Sequence, residues 1–155
     1  MPIETERKFL VKKDLWQKTD KPIPDFYRQG YLYSDASKTI RIRIANKEAW
    51  ITIKGKTTGA SRPEYEYNIP ADEAQEMLTN MTENCIEKYR YKIMVQGKLW
   101  EVDDFKGDNE GLLLAEIELE NENESFALPE WIGEEVTEDP RYFNASLSKL
   151  PYSKW

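Results

Sequence analysis

The 155-residue sequence has no histidine and a single cysteine, Cys85. Without histidine the commonest general base and zinc ligand is gone, so carboxylates, lysines, tyrosines and water remain for any chemistry, and hard, oxygen-seeking cations are the metals that suit them. One cysteine excludes a disulfide framework and fits a reducing, cytoplasmic setting. No apolar run approaches the 18 or so residues of a membrane-spanning helix. The N-terminal stretch MPIETERKFLV is charged from Glu4 onward, unlike a secretory signal. Positive charge is also in deficit: 22 Lys and Arg against 29 Asp and Glu leave a net charge of −7. Such a surface repels nucleic acid and anionic membranes. An anionic small-molecule ligand must therefore find a local basic site.

The length suits one domain, read as residues 1–155, able to bury a core unaided. The dominant pattern has period two, as in strands with opposed faces. In Ile3 to Leu10, the residues Glu4, Glu6 and Lys8 share a face. Phe26 to Tyr33 is a second strand, and in Thr39 to Ile44 the residues Arg41 and Arg43 alternate with isoleucine. A turn at Asn46-Lys47-Glu48 leads into Trp50 to Lys54, where Thr52 and Lys54 oppose the isoleucines, and Gly55 to Ser61 is a loop. Arg62 to Ile69 puts Glu64 and Glu66 on one face; Pro70 ends it, and Ala71 to Met81 predicts an amphipathic helix. Ile86 to Val95 sets Lys88, Arg90 and Lys92 against Tyr89, Tyr91 and Ile93, turns at Gln96-Gly97 and returns as Leu99 to Phe105. Leu112 to Glu120 aligns Glu116, Glu118 and Glu120. The sum is about eight strands. Beyond residue 121 short helical or irregular segments are expected, at Pro129 to Gly133 and at Asn144 to Leu150.

Alternation by itself is satisfied by an antiparallel sheet with its charges in water. The distribution of sign is less ordinary, because the charges on each of these faces are almost all alike. Neighbours at i and i+2 lie about 7 Å apart and repel by about 0.6 kcal/mol in water, or about 2.4 kcal/mol at an effective dielectric of 20. Closing the strands into a barrel brings acidic and basic rows onto one interior, where divalent cations hold carboxylates together and phosphoryl groups hold guanidiniums together. A polyanion with several phosphoryl groups matches the number of cations. Patterning leaves both arrangements open.

The motifs add a resemblance. Glu4-x-Glu6-x-Lys8 is similar to the ExExK signature of the CYTH family, the triphosphate tunnel metalloenzymes. The likeness continues through Gln29-Gly30-Tyr31-Leu32, Ile40-Arg41-Ile42-Arg43, Thr52-Ile53-Lys54-Gly55, Glu64-Tyr65-Glu66-Tyr67, Lys88-x-Arg90-Tyr91 and Trp100-Glu101-Val102-Asp103. It ends in Ala115-Glu116-Ile117-Glu118-Leu119, Trp131 to Thr137 and Tyr142-Phe143-Asn144-Ala145-Ser146-Leu147.

The resemblance implies a mainly β fold: a closed eight-stranded antiparallel barrel with a few peripheral helices and a polar lumen that binds a triphosphate with Mg²⁺ or Mn²⁺. Carried over by position, Glu4, Glu6, Glu64, Asp103, Glu116 and Glu118 are the expected metal carboxylates, Glu64 and Asp103 serving as ligands or orienters near a second metal. Lys8, Arg41, Arg43, Lys54, Lys88 and Arg90 are the expected triphosphate clamp. Lys88 takes the further role of protonating the leaving phosphate, and Glu6 is grouped with it as catalytic. Glu66, Glu101, Glu120 and Lys92 are read as rim or solvent-facing, Lys56 and Arg62 as parts of an entrance, and Tyr65, Tyr67, Tyr89, Tyr91, Trp100 and Trp131 as outer-wall packing. The expected activity is hydrolysis of inorganic triphosphate. A class IV-type adenylate cyclase, a thiamine triphosphatase and a non-catalytic polyphosphate-binding module are the alternatives. The expected partner is a small triphosphate, with neither nucleic acid nor membrane; a homodimer is admitted but not required.

Overall fold

A computed structural model describes residues 2–155. In chain order its elements are β1 (Ile3–Val11), α1 (Lys13–Gln17), β2 (Asp25–Ser34), β3 (Thr39–Ala45), β4 (Glu48–Lys54), β5 (Ser61–Ile69), α2 (Ala71–Met81), β6 (Ile86–Val95), β7 (Lys98–Phe105), β8 (Leu113–Glu118), β9 (Ile132–Glu135) and α3 (Asn144–Lys149). Two hairpins follow directly from local chemistry. Asn46 takes the left-handed backbone (φ 58°) between β3 and β4, and Gln96 and Gly97 (φ 48° and 81°) form the two-residue turn between β6 and β7. In the β6–β7 turn, positive φ at both positions matches the twist of the flanking strands.

All strand pairings are antiparallel, and neighbours run in the order β5-β4-β3-β2-β6-β7-β8-β1-β9. A further pairing of β1 with β5, from Ile3↔Pro63 to Thr5↔Ser61, closes the first eight strands into a barrel. β1 is the closing strand. One of its edges pairs with β8, from Glu6↔Glu118 to Leu10↔Leu114. Its other edge leaves β5 after Thr5, and β9 takes over at Phe9↔Glu135 and Val11↔Ile132. Thus Val136 N–H donates to the Lys8 carbonyl at 2.8 Å and Lys12 N–H to the Trp131 carbonyl at 2.7 Å.

β9 departs from the sequence expectation of a short helical or irregular segment at Pro129 to Gly133. Four residues without alternation carry no local strand signal; they extend because β1 offers them an edge of unpaired backbone groups. α1 was likewise not anticipated. It packs Trp16 edge-on against Trp131 and Tyr91, with ring centroids 5.0 and 5.4 Å apart. Trp16, Trp100 and Trp131 join Phe9, Val102 and Ile117 in a core on the outside of β1, β7 and β8. The expected placement of Trp100 and Trp131 in the outer wall agrees with this. On the opposite flank α2 lays Ala74 and Leu78 over Ile42 and Ala49.

A third apolar cluster occupies the lumen side. Phe105 pairs with Lys88, Leu114 with Asp103 and Ile86 with Gln29, so these apolar residues share the inner face of the charged ones. They pack with Val136, Tyr142 and Leu147. The segment containing α3 therefore stoppers part of the end at which β6 and β8 begin. No helix among the described residues is long and apolar enough to cross a membrane.

Candidate functional site

The strand registers put the charged rows on the inner face. Two cavities, of about 500 and 240 Å³, occupy the lumen. They meet at Glu4, Glu6, Arg41, Lys54 and Asn144, which line both. The larger opens beside α3 among Lys56, Arg62 and Lys149. The smaller is bounded by Arg43, Glu66, Glu101 and Glu118, among others. Lys56 and Arg62 thus stand at an entrance.

The cations are tied to inward-facing acceptors. Lys54 Nζ lies 2.9 Å from Glu4 Oε1 and 3.3 Å from Glu64 Oε2. Arg41 Nη2 donates to Thr52 Oγ1 at 3.1 Å, and Thr52 donates to Glu66 at 2.8 Å. The Arg41 Nε–H is buried without any acceptor. Arg43 Nε donates to Gln29 Oε1 at 2.8 Å. The guanidiniums of Arg43 and Arg90 both stack on Tyr27, each 4.9 Å from the ring centroid. Lys8 Nζ lies 3.5 Å from Glu116 and donates to the Tyr142 carbonyl at 3.1 Å.

Lys88 and Asp103 are both wholly buried. Lys88 Nζ is 2.7 Å from Asp103 Oδ2 and donates to Asn144 Oδ1 at 3.1 Å. Arg90 holds the same carboxylate in a fork, Nε to Oδ1 at 2.8 Å and Nη2 to Oδ2 at 2.9 Å. Both oxygens of Asp103 are therefore taken by cations of the protein, an arrangement suited to orienting Lys88 and Arg90 rather than to holding a metal.

Proton affinities divide the lumen into two poles. Glu6 is pushed up to about 8, by desolvation first and then by Glu116 and Glu4. Glu4 and Glu118 are also raised, again mainly by desolvation. Lys88 is pulled down to about 7 by burial, with Arg90 and Arg43 adding to the effect against the attraction of Asp103. Burial and the nearby Arg41 and Arg90 likewise lower Arg43. Burial thus leaves Glu6 under-compensated on one side of the lumen and Arg43 on the other. Asp103 and Glu116 are already satisfied: burial would raise both, but Arg90 and Lys88 hold Asp103 far down, and Lys8 and Arg90 hold Glu116 low.

Glu4, Glu6, Glu64 and Glu118 supply only oxygen donors, which suits a hard divalent cation. Among the described residues no three carboxylates converge as a preformed cage. The unmet charge of the acidic pole is nevertheless what a cation would satisfy.

Sequence reasoning gave no site role to the neutral partners Tyr27, Gln29 and Asn144, although Gln29 and Asn144 lie in segments that carry the family resemblance. Register finds the first two, since Tyr27 stands opposite Lys88 and Gln29 opposite Arg43. No charge or alternation marks a role for Asn144, which reaches the site through the folding back of α3.

Fold and lumen together define an antiparallel barrel built around an acidic and a basic pole. Residues 2–152 match the CYTH domain. The inorganic triphosphatase of Acetivibrio thermocellus is 50% identical over 153 residues, covering 98% of this chain and 97% of that protein. The inorganic triphosphatase of Nitrosomonas europaea is 39% identical, covering 94% of this chain and 96% of its own. A crystal structure of the inorganic triphosphatase NE1496 superposes with a TM-score of 0.67 at 37% identity, covering 96% of this chain and 95% of that one. The chain belongs to the CYTH domain family.

Proposed function

We propose that this protein is a metal-dependent inorganic triphosphatase, cleaving tripolyphosphate to pyrophosphate and orthophosphate in the barrel lumen. The observation that carries the reading is geometric: inward carboxylates and inward cations, Glu4, Glu6, Arg41 and Lys54, line the junction of two cavities in one lumen. A triphosphate with a divalent cation answers both at once. The two relatives called inorganic triphosphatase, each covered over nearly its whole length, support the same activity.

Lys8, Arg41, Arg43, Lys54 and Arg90 bind and straighten the phosphoryl chain, and the unpartnered Arg41 Nε–H is a donor waiting for an oxygen. Phosphoryl transfer depends more on positioning and charge neutralisation than on covalent chemistry, which suits a site without histidine. Glu4, Glu6 and Glu118, with Glu64 and Glu116 beside them, would hold Mg²⁺ or Mn²⁺. When bound, such a cation neutralises phosphoryl oxygens and activates water for attack. Lys88, held by Asp103 and lining neither cavity, supports the leaving phosphate with its buried positive charge rather than by direct proton transfer; the proton passes to that phosphate from water. Asp103 serves as the orienter of Lys88 and Arg90. We read residues 1–155 as one unit acting in the cytoplasm on a small-molecule substrate.

The test offers tripolyphosphate and ATP in separate reactions to the purified protein with Mg²⁺ or Mn²⁺. Orthophosphate release from tripolyphosphate is expected. Formation of cyclic AMP and pyrophosphate from ATP, without orthophosphate release from tripolyphosphate, overturns the reading in favour of a cyclase. Tight binding of tripolyphosphate without turnover overturns it in favour of a binding module.

A further inference from the structure

We infer that Asn144, at the start of α3, is a substrate-positioning residue of the lumen, donating through its carboxamide NH₂ to the phosphoryl chain while its oxygen holds Lys88 in place. The inference rests on reading the lumen as a triphosphate site.

The orientation of the carboxamide is fixed by its neighbours. Lys88 has only protons to offer, so the atom facing its ammonium at 3.1 Å is the Asn144 oxygen. The same oxygen accepts from Gln29 Nε2 at 3.3 Å. Gln29 cannot turn over without loss, because its own oxygen accepts from Arg43 Nε at 2.8 Å. A continuous chain thus runs from Arg43 through Gln29, Asn144 and Lys88 to Asp103 and Arg90. With its oxygen engaged twice, Asn144 directs its NH₂ away from this chain.

What it meets there is the lumen. Asn144 lines both cavities, at the place where they join beside Glu4, Glu6, Arg41 and Lys54. Lys88 and Gln29, by contrast, have no exposure and line neither cavity. Asn144 is therefore the member of the chain that stands between the buried ammonium and the space where a phosphoryl oxygen would lie. Its backbone is anchored independently: Leu147 is buried in the apolar stopper, Lys149 Nζ donates to the Ser34 carbonyl at 2.8 Å, and Lys8 donates to the Tyr142 carbonyl two residues upstream. The C-terminal segment thereby contributes a group to the reacting chamber as well as a wall.

The experiment measures tripolyphosphate affinity and steady-state kinetics for Asn144→Ala and Asn144→Ser, each beside its thermal midpoint, with Arg43→Ala as the reference for the clamp. Both Asn144 variants are expected to weaken tripolyphosphate binding on the order of tenfold, the cost of losing a hydrogen bond to a charged group. A fall in kcat beyond the change in KM is also expected, since Lys88 loses its second acceptor. Their thermal midpoints should stay within a few degrees of the parent. Unchanged affinity and kcat in both Asn144 variants, with binding weakened by Arg43→Ala, overturn the inference while the triphosphate reading stands. Unchanged affinity in all three variants overturns the triphosphate reading itself. Losses in the Asn144 variants that appear only near their melting temperatures overturn the inference in favour of a purely structural seat for α3.

Discussion

Glu6 and Glu118 stand directly opposite each other on neighbouring strands, with their side chains on the same inner face of the barrel. Like charges across a strand pair are destabilising. Burial, with Glu116 and Glu4 adding their repulsion, pushes Glu6 up to about 8. An arrangement of this kind gains nothing for the fold alone. It is a site that becomes favourable when a cation enters.

Replacing Glu6 by glutamine should therefore separate stability from activity. The neutral amide stands in for the carboxyl that Glu6 already keeps protonated near neutral pH, so the metal-free Glu6→Gln protein should melt no lower than the parent. Metal-dependent orthophosphate release should fall by a factor of about 100 or more, as expected for loss of a charged group acting on the transition state. Tripolyphosphate binding, which rests on the cations, should remain measurable by calorimetry. Turnover at the parent rate would remove the metal role from Glu6.

The same charges set a pH dependence. Glu4, Glu6 and Glu118 bind protons more tightly in the folded chain than in the unfolded one. Folding therefore takes up protons above the ordinary carboxyl range, and stability falls as pH rises. Between about pH 5 and pH 7 the metal-free protein should lose thermal stability, before Lys88, lowered to about 7, begins to oppose the trend. Saturating Mg²⁺ or Mn²⁺ should flatten or reverse the slope, because a cation binds the deprotonated carboxylates. Melting curves across this range, with and without metal, provide the check; a slope unaffected by metal would contradict the cation site.

How much of this was legible in the sequence depends on whether a residue announces itself by charge and period. Arg41 and Arg43, or Glu116 and Glu118, alternate with aliphatic residues so regularly that strand, face and polarity follow from spacing. β9 was less accessible, since it is defined only by the vacant edge of β1. Tyr27 and Gln29 have no charge to mark their face. Asn144 meets Lys88 and Gln29 across 56 and 115 residues of chain, a contact made by tertiary packing alone. Asp103 shows a different limit: its strand position marks it as an inward carboxylate, but whether its oxygens are free depends on two cations reaching it from the neighbouring strand.

The outer shell supplies a control. Leu78 on α2 is 1% exposed and, with Ala74 of the same helix, packs over Ile42 and Ala49 on the outer wall. Truncation to alanine should cost about 2–5 kcal/mol of stability through lost burial and the cavity left behind. Well below the lowered melting temperature, kcat and KM for tripolyphosphate should match the parent. Denaturant titration with parallel kinetics tests both statements, and a substantial change in KM at low temperature would mean that the outer wall shapes the lumen more directly than the packing indicates.

Asp103→Asn discriminates an orienting carboxylate from a metal ligand. The substitution keeps the shape but removes the charge on which Lys88 and Arg90 converge, leaving two buried cations without their counter-ion. Breaking one side of a buried pair typically costs about 3–5 kcal/mol, more than the pair itself contributes. Lys88 would also lose the attraction that sustains its proton, and so its positive charge near neutral pH. Turnover should therefore drop at every metal concentration, with the midpoint of the metal titration little changed. A variant of Glu118, by contrast, should shift that midpoint upward. If high metal restored the activity of Asp103→Asn, the carboxylate would have to be a ligand, and the fork it makes with Arg90 would have to open when the cation arrives.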